Sequence, residues 1–173
     1  TLRYSGPFTD IDVDDKAIAL NPCNFTLKNV DIVSDYVSAG AYDRFALSGS
    51  STSDSSLKIS NCYFQAVRLS MFVYPGNKCY YEIADNRFEG VFGHSTLMIT
   101  HLGKVESVNI SRNRFTNRMN LANLTPLRFC FLVAGVGVEI WAQRAIVKEN
   151  VFEDIAVNDA CIYIGSHWED AVV

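Results

Sequence analysis

Four stretches of the chain carry an aliphatic residue and, five positions later, a phenylalanine, with mostly polar residues between them. They are "ISNCYFQA" from Ile59, "IADNRFEG" from Ile83, "ISRNRFTN" from Ile110 and "VKENVFED" from Val147. With Phe64, Phe88, Phe115 and Phe152 set level, Ile32 after "LKNVD" becomes an earlier, degenerate copy. The aliphatic position is then Leu27, Ile59, Ile83, Ile110 and Val147. Two residues before the phenylalanine stands Asn86, Asn113 or Asn150, while Cys62 fills that slot in one copy with Asn61 just ahead of it.

A second apolar stretch follows each copy. "FALSG" begins at Phe45, "LSMFVY" at Leu69, "TLMITH" at Thr96, "FCFLVA" at Phe129 and "CIYIGS" at Cys161. Gly49, Gly76, Gly103, Gly135 and Gly165 end or follow these stretches and fit tight turns. The pieces are short and rich in β-branched and aromatic residues, which predicts strands. Helical spacing is confined to "NRMNLANL" at 117–124. The repeat is 24 residues from Phe64 to Phe88, 27 to Phe115 and 37 to Phe152, so the last interval holds an insertion, placed at 116–127.

Short strands recurring at such a period predict an all-β coil of parallel rungs, each strand stacked about 4.8 Å from the next. The asparagines would sit at a bend and bond to one another through their amides, as in other cross-β ladders. The phenylalanines and aliphatics would stack inside.

On these residues the chain resembles the right-handed parallel β-helix of the pectin-lyase-like superfamily, over roughly residues 16–165. The resemblance implies a solenoid of about six rungs, near 16–43, 44–68, 69–95, 96–127, 128–159 and 160–173. The absence of polar caps predicts a section of a longer coil. Proteins of this kind include polysaccharide lyases, glycoside hydrolases, bacteriophage tailspikes and non-catalytic stalks. By the same resemblance, the stretch following each copy is the strand that floors the substrate groove.

Composition narrows the choice. The chain is 49% hydrophobic and 20% charged, with a formal net charge of −4, which argues against a non-specific nucleic-acid partner. No apolar run approaches the roughly 20 residues of a membrane span. The five cysteines match no metal-binding spacing and read as small buried hydrophobes. Sequons at Asn24, Asn109 and Asn123 agree with an extracellular or virion-surface setting. "DIDVDDKA" at 10–17 lacks the glycine and terminal glutamate of an EF-hand, and neither a metal nor a cofactor is expected.

Alternation along the groove strands takes Phe45, Leu69, Leu97, Phe129 and Ala160 as the first inward residues. Arg44, Arg68, Thr96, Arg128 and Asp159 then form one outward column. Such arginines suit the carboxylates of an acidic polysaccharide, or each pairs privately with a nearby acid. Tyr163 and Trp141 are candidate sugar platforms. Asp154 and Asp159 are the candidate hydrolytic pair; a lyase would instead use Arg68, Arg128 and His94. The next outward positions, Ser70, Met98, Cys130 and Cys161, are largely apolar and suit a covered surface such as a homotrimer interface. The expectation is an enzyme or binder of extracellular polysaccharide, with a trimeric structural stalk as the rival.

Overall fold

The computed structural model describes residues 1–4, 16–20, 24–34, 45–51, 54–65, 68–73, 78–89, 95–101, 104–116, 127–135, 141–155, 157–164 and 167–172. Within them the chain is all-β, with no helix. The helical stretch expected at 117–124 lies outside the described residues.

Every strand pairing is parallel, and each of three six-stranded sheets takes every third strand of the chain. The first sheet holds β1 (Leu2–Tyr4), β4 (Asp31–Ser34), β7 (Tyr63–Gln65), β10 (Arg87–Glu89), β13 (Arg114–Thr116) and β16 (Val151–Glu153). The second holds β2 (Lys16–Leu20), β5 (Phe45–Ser51), β8 (Arg68–Val73), β11 (Ser95–His101), β14 (Leu127–Gly135) and β17 (Val157–Ile164). The third holds β3 (Phe25–Lys28), β6 (Ser55–Ser60), β9 (Lys78–Ala84), β12 (Lys104–Ser111), β15 (Trp141–Lys148) and β18 (His167–Val172). This order is compatible with a parallel β-helix.

The repeated letters are the core. Phe64 pairs with Phe88, Phe88 with Phe115 and Phe115 with Phe152, and Ile32 joins the column beside Phe64. Their rings stack at 4.9, 4.9 and 5.1 Å between centroids, within 9° of parallel. Leu27, Ile59, Ile83, Ile110 and Val147 pair in the same way along the third sheet. Ile59, Ile83 and Ile110 are wholly buried, and burying such a side chain is worth about 1.5–3 kcal/mol. Phe115 and Phe152 stay level despite the 37 residues between them.

Two residues join the third sheet to the first at each corner. The second of them builds the expected ladder. Asn86 Nδ2 donates to Asn113 Oδ1 at 3.0 Å, and Asn113 Nδ2 to Asn150 Oδ1 at 3.0 Å. The same amides donate to the carbonyls of Ile59, Ile83 and Ile110. Their oxygens accept from the backbone N–H of Cys62, Asn86 and Asn113. Cys62 ends the series with a thiol 3.3 Å from the Ser60 carbonyl, and burial pushes that thiol's pKa up. Buried polar groups this close to the core are tolerated because they are bonded.

The first corner residue is left-handed each time: Asn29, Asn61, Asp85, Arg112 and Glu149 have φ between 53° and 60°. Asn61 Nδ2 reaches Asn29 Oδ1 at 2.7 Å, and Arg112 grips Asp85 through Nε at 2.6 Å and Nη2 at 2.8 Å. Both residues of this pair are nearly half exposed.

Candidate binding groove

The register of the second sheet splits the single arginine column expected from the sequence. Leu69 and Leu97 are level as anticipated, but Leu69 pairs with Leu47, and Arg68 lies opposite Phe45 across an irregularity between Phe45 and Leu47. Leu97 pairs with Phe131, two residues beyond Phe129. A slip of two keeps the same face inward, so alternation cannot detect it. Phe129 pairs with Ala160, which leaves Arg128 and Asp159 at the preceding positions of neighbouring strands. Arg68 and Arg128 are therefore displaced from one another along the strand direction.

Arg44 and His94 lie outside the described residues. For Arg68, Arg128, Asp159, Tyr163 and Trp141 the structure describes the backbone, in β8, β14, β17, β17 and β15 respectively. Asp154 is exposed just after β16, at a φ of 50°. Asp159 stands within β17.

The outward face of the third sheet was not singled out by sequence reasoning, and it carries a groove of about 480 Å³. Alternation in β6, β9, β12 and β15 turns Leu57, Tyr81, Val108 and Val147 inward, all buried, and presents the intervening residues outward. The parallel register sets these in two rows across the strands. One row is Ser56, Tyr80, Ser107 and Arg144; the other is Lys58, Glu82, Asn109 and Ile146. All eight line the groove.

Tyr80 is 49% exposed, one of two large hydrophobic side chains this open among the described residues. Beside it the ladder shifts register between Val105 and Ser107, placing an extra residue in β12. Such a bulge bends the strand and re-aims its neighbours. Lys58 Nζ lies 3.5 Å from Glu82 Oε2 with both side chains more than half exposed, a pairing worth under about 1 kcal/mol. Arg144 is exposed and forms no ion pair with a described side chain. Asn109 Oδ1 is buried without a hydrogen-bond partner. The Asn109 sequon thus sits within a strand, with its Ser111 wholly buried. Applying alternation to the strand before each asparagine, rather than only to the one after each phenylalanine, would have found this face.

The outward face of the first sheet is organised differently. Tyr63 OH donates to Glu89 Oε2 at 2.8 Å and lies 3.1 Å from Gln65 Oε1. Arg87 Nη2 donates to the same Glu89 oxygen at 2.9 Å, and its guanidinium lies 5.2 Å from the Tyr63 ring centre. Burial and the Glu89 carboxylate push the Tyr63 hydroxyl up to about 12. Arg114, level with Arg87, pairs with Glu153. On this face the aromatic and the charges, Tyr63, Arg87, Glu89, Arg114 and Glu153, are committed to one another, while the buried Thr116 Oγ1 level with Glu89 has no hydrogen-bond partner.

Among the described residues no helix is long and apolar enough to cross a membrane. No family model, curated protein or solved structure matches the chain.

Proposed function

We propose that the chain is a section of a right-handed parallel β-helix of the pectin-lyase-like kind, with about six rungs, that binds an extracellular polysaccharide. The sugar chain lies across the strands of the third sheet, on a cell or virion surface. The observation that carries this reading is the groove itself: a half-exposed Tyr80 and, two strands along the same row with Ser107 between them, an Arg144 that pairs with no described acid, next to the parallel row of Lys58, Glu82, Asn109 and Ile146. A sugar ring presents an apolar face that suits an aromatic platform. Its hydroxyls suit the polar rows, and an acidic substituent suits an unpaired guanidinium. The volume falls in the range of small-molecule sites, and parallel rows repeat at the strand spacing of about 4.8 Å.

A panel of acidic and neutral capsular and O-antigen polysaccharides, examined by affinity electrophoresis and calorimetry, tests the proposal. Tyr80→Ala and Arg144→Ala should each weaken binding roughly tenfold, about 1.4 kcal/mol, with Tm unchanged. Cleavage would be a separate activity centred on the second sheet: new reducing ends lost in Asp154→Asn or Asp159→Asn indicate a hydrolase, and unsaturated uronates indicate a lyase using Arg68, Arg128 and His94. A protein that binds no polysaccharide and sediments as a trimer is a structural stalk, and the proposal fails.

A further inference from the structure

Asn109 carries a polar atom that the protein leaves without a partner, and its surroundings limit what the partner can be. Its side-chain oxygen is buried and accepts no hydrogen bond, a condition that costs free energy in the unliganded protein. The amide torsion of asparagine is broad and nearly two-fold, so a half turn of the side chain presents this oxygen to the groove that Asn109 lines. A ligand donor then takes the place of solvent at the turned-out oxygen, which in its buried position has no partner at all.

The two residues level with Asn109 define the rest. On one side stands Ile146, half-buried and lining the same groove. On the other stands Glu82, whose exposed carboxylate lies 3.5 Å from Lys58 Nζ. Each is about one strand spacing away, near 4.8 Å. The position therefore offers an acceptor, an apolar seat and a carboxylate already paired with Lys58. A ligand carboxylate would face the Asn109 oxygen acceptor to acceptor and would have to compete with Glu82 for Lys58. A hydroxyl would satisfy the acceptor and leave Ile146 uncovered. An acetamido group supplies an N–H for Asn109 and a methyl for Ile146 on one short, neutral substituent.

We infer that Asn109 and Ile146 form a subsite for the acetamido group of an N-acetylated sugar residue, an inference that rests on the groove being a sugar site. Asn109 is the specificity-determining residue, and Arg144, which pairs with no described acid, lies diagonally across one strand, where it can meet a substituent on an adjoining sugar.

Calorimetric titration with chitotetraose, its fully deacetylated form and cellotetraose tests the assignment, because the three share one backbone and differ at one substituent. Chitotetraose should bind at least about tenfold more tightly than cellotetraose. Asn109→Leu should bring the two to within about twofold without lowering Tm, since it removes an unsatisfied buried acceptor rather than a bond. A lowered Tm with the preference intact would make Asn109 a structural residue and overturn the inference. Tighter binding of the deacetylated form would also overturn it, assigning the position to a cation on Glu82. Equal affinity for chitotetraose and cellotetraose overturns the acetamido subsite and leaves the sugar groove standing. If none of the three binds while an acidic or neutral polysaccharide does, the subsite alone falls. If no glycan binds at all, both readings fall.

Discussion

The outward faces of the first and third sheets are joined by a two-residue corner, yet they use similar side chains to opposite ends. On the first, Glu89 takes hydrogen bonds from both Tyr63 and Arg87, while Arg114 is held by Glu153. On the third, Tyr80 is half exposed, Arg144 meets no described acid and the Asn109 oxygen has no donor. A completed network returns its interaction energy to folding. An incomplete one holds a favourable interaction in reserve for whatever completes it. The presence of an aromatic, an arginine and a glutamate thus says little about binding until their partners are counted.

The largest effect should come from breaking what both faces share. Asn113 stands at the corner, with its amide bonded to Ile83 O and Asn150 and its oxygen accepting from Asn86. Asn113→Leu keeps the volume and removes all of these, leaving buried donors and acceptors unpaired. It should lower stability by about 3 kcal/mol, measured by denaturant unfolding. A loss under about 1 kcal/mol would mean that the backbone alone sets the corner, and that the two faces are not fixed relative to one another by the ladder.

A smaller pair of changes separates the faces directly. Tyr63→Phe deletes a hydrogen bond to a charged acceptor and should cost about 1.5–2 kcal/mol, whereas Tyr80→Phe should leave stability within about 0.5 kcal/mol. The pH dependence gives a second handle. Tyr63 titrates near 12 in the folded protein against an ordinary value of 10, so folding favours its neutral form. That contribution is fully present below pH 10 and is lost as pH rises toward 12. The difference between wild type and Tyr63→Phe should therefore narrow across pH 10–12. A constant difference would mean that the phenol is not held by Glu89, and the first face would no longer count as closed.

What was legible in the sequence was whatever repeats. The Phe column, the aliphatic column and the Asn ladder show as fixed offsets because each member touches its counterpart one strand away, so the same residue type serves at every level. The second sheet's register was not legible for two reasons. A two-residue slip such as Leu97 opposite Phe131 preserves the inward face, and an irregularity between Phe45 and Leu47 shifts one strand against its neighbour without altering composition. The groove was harder still. Tyr80, Asn109 and Arg144 repeat nothing, being different residue types brought level by pairing. Binding surfaces depart from the repeat, which is why the rule that finds a stacked core passes over them.

The smallest expected change tests the strip between the faces. At the first corner position a left-handed backbone is needed each time, and Asn29, Asn61 and Asp85 are residues that tolerate it. Arg112 and Glu149 are not, and each carries a cost of order 1 kcal/mol relative to a tolerant residue. Arg112 has a compensation in its two bonds to Asp85, whose carboxyl the guanidinium holds below the usual carboxylate range. That pair is solvent-exposed, and its support fades as pH falls through the depressed Asp85 value. Glu149 is exposed, and Arg112 one corner away attracts it, but among the described residues it makes no ion pair or hydrogen bond comparable to the Arg112–Asp85 grip. Glu149→Asn should therefore stabilise the protein by about 0.5–1 kcal/mol, seen as a raised midpoint in denaturant, while groove affinity stays constant. A gain in stability accompanied by a change in affinity would show that the corner and the groove are coupled, and the two faces could not then be treated as independent surfaces on one scaffold.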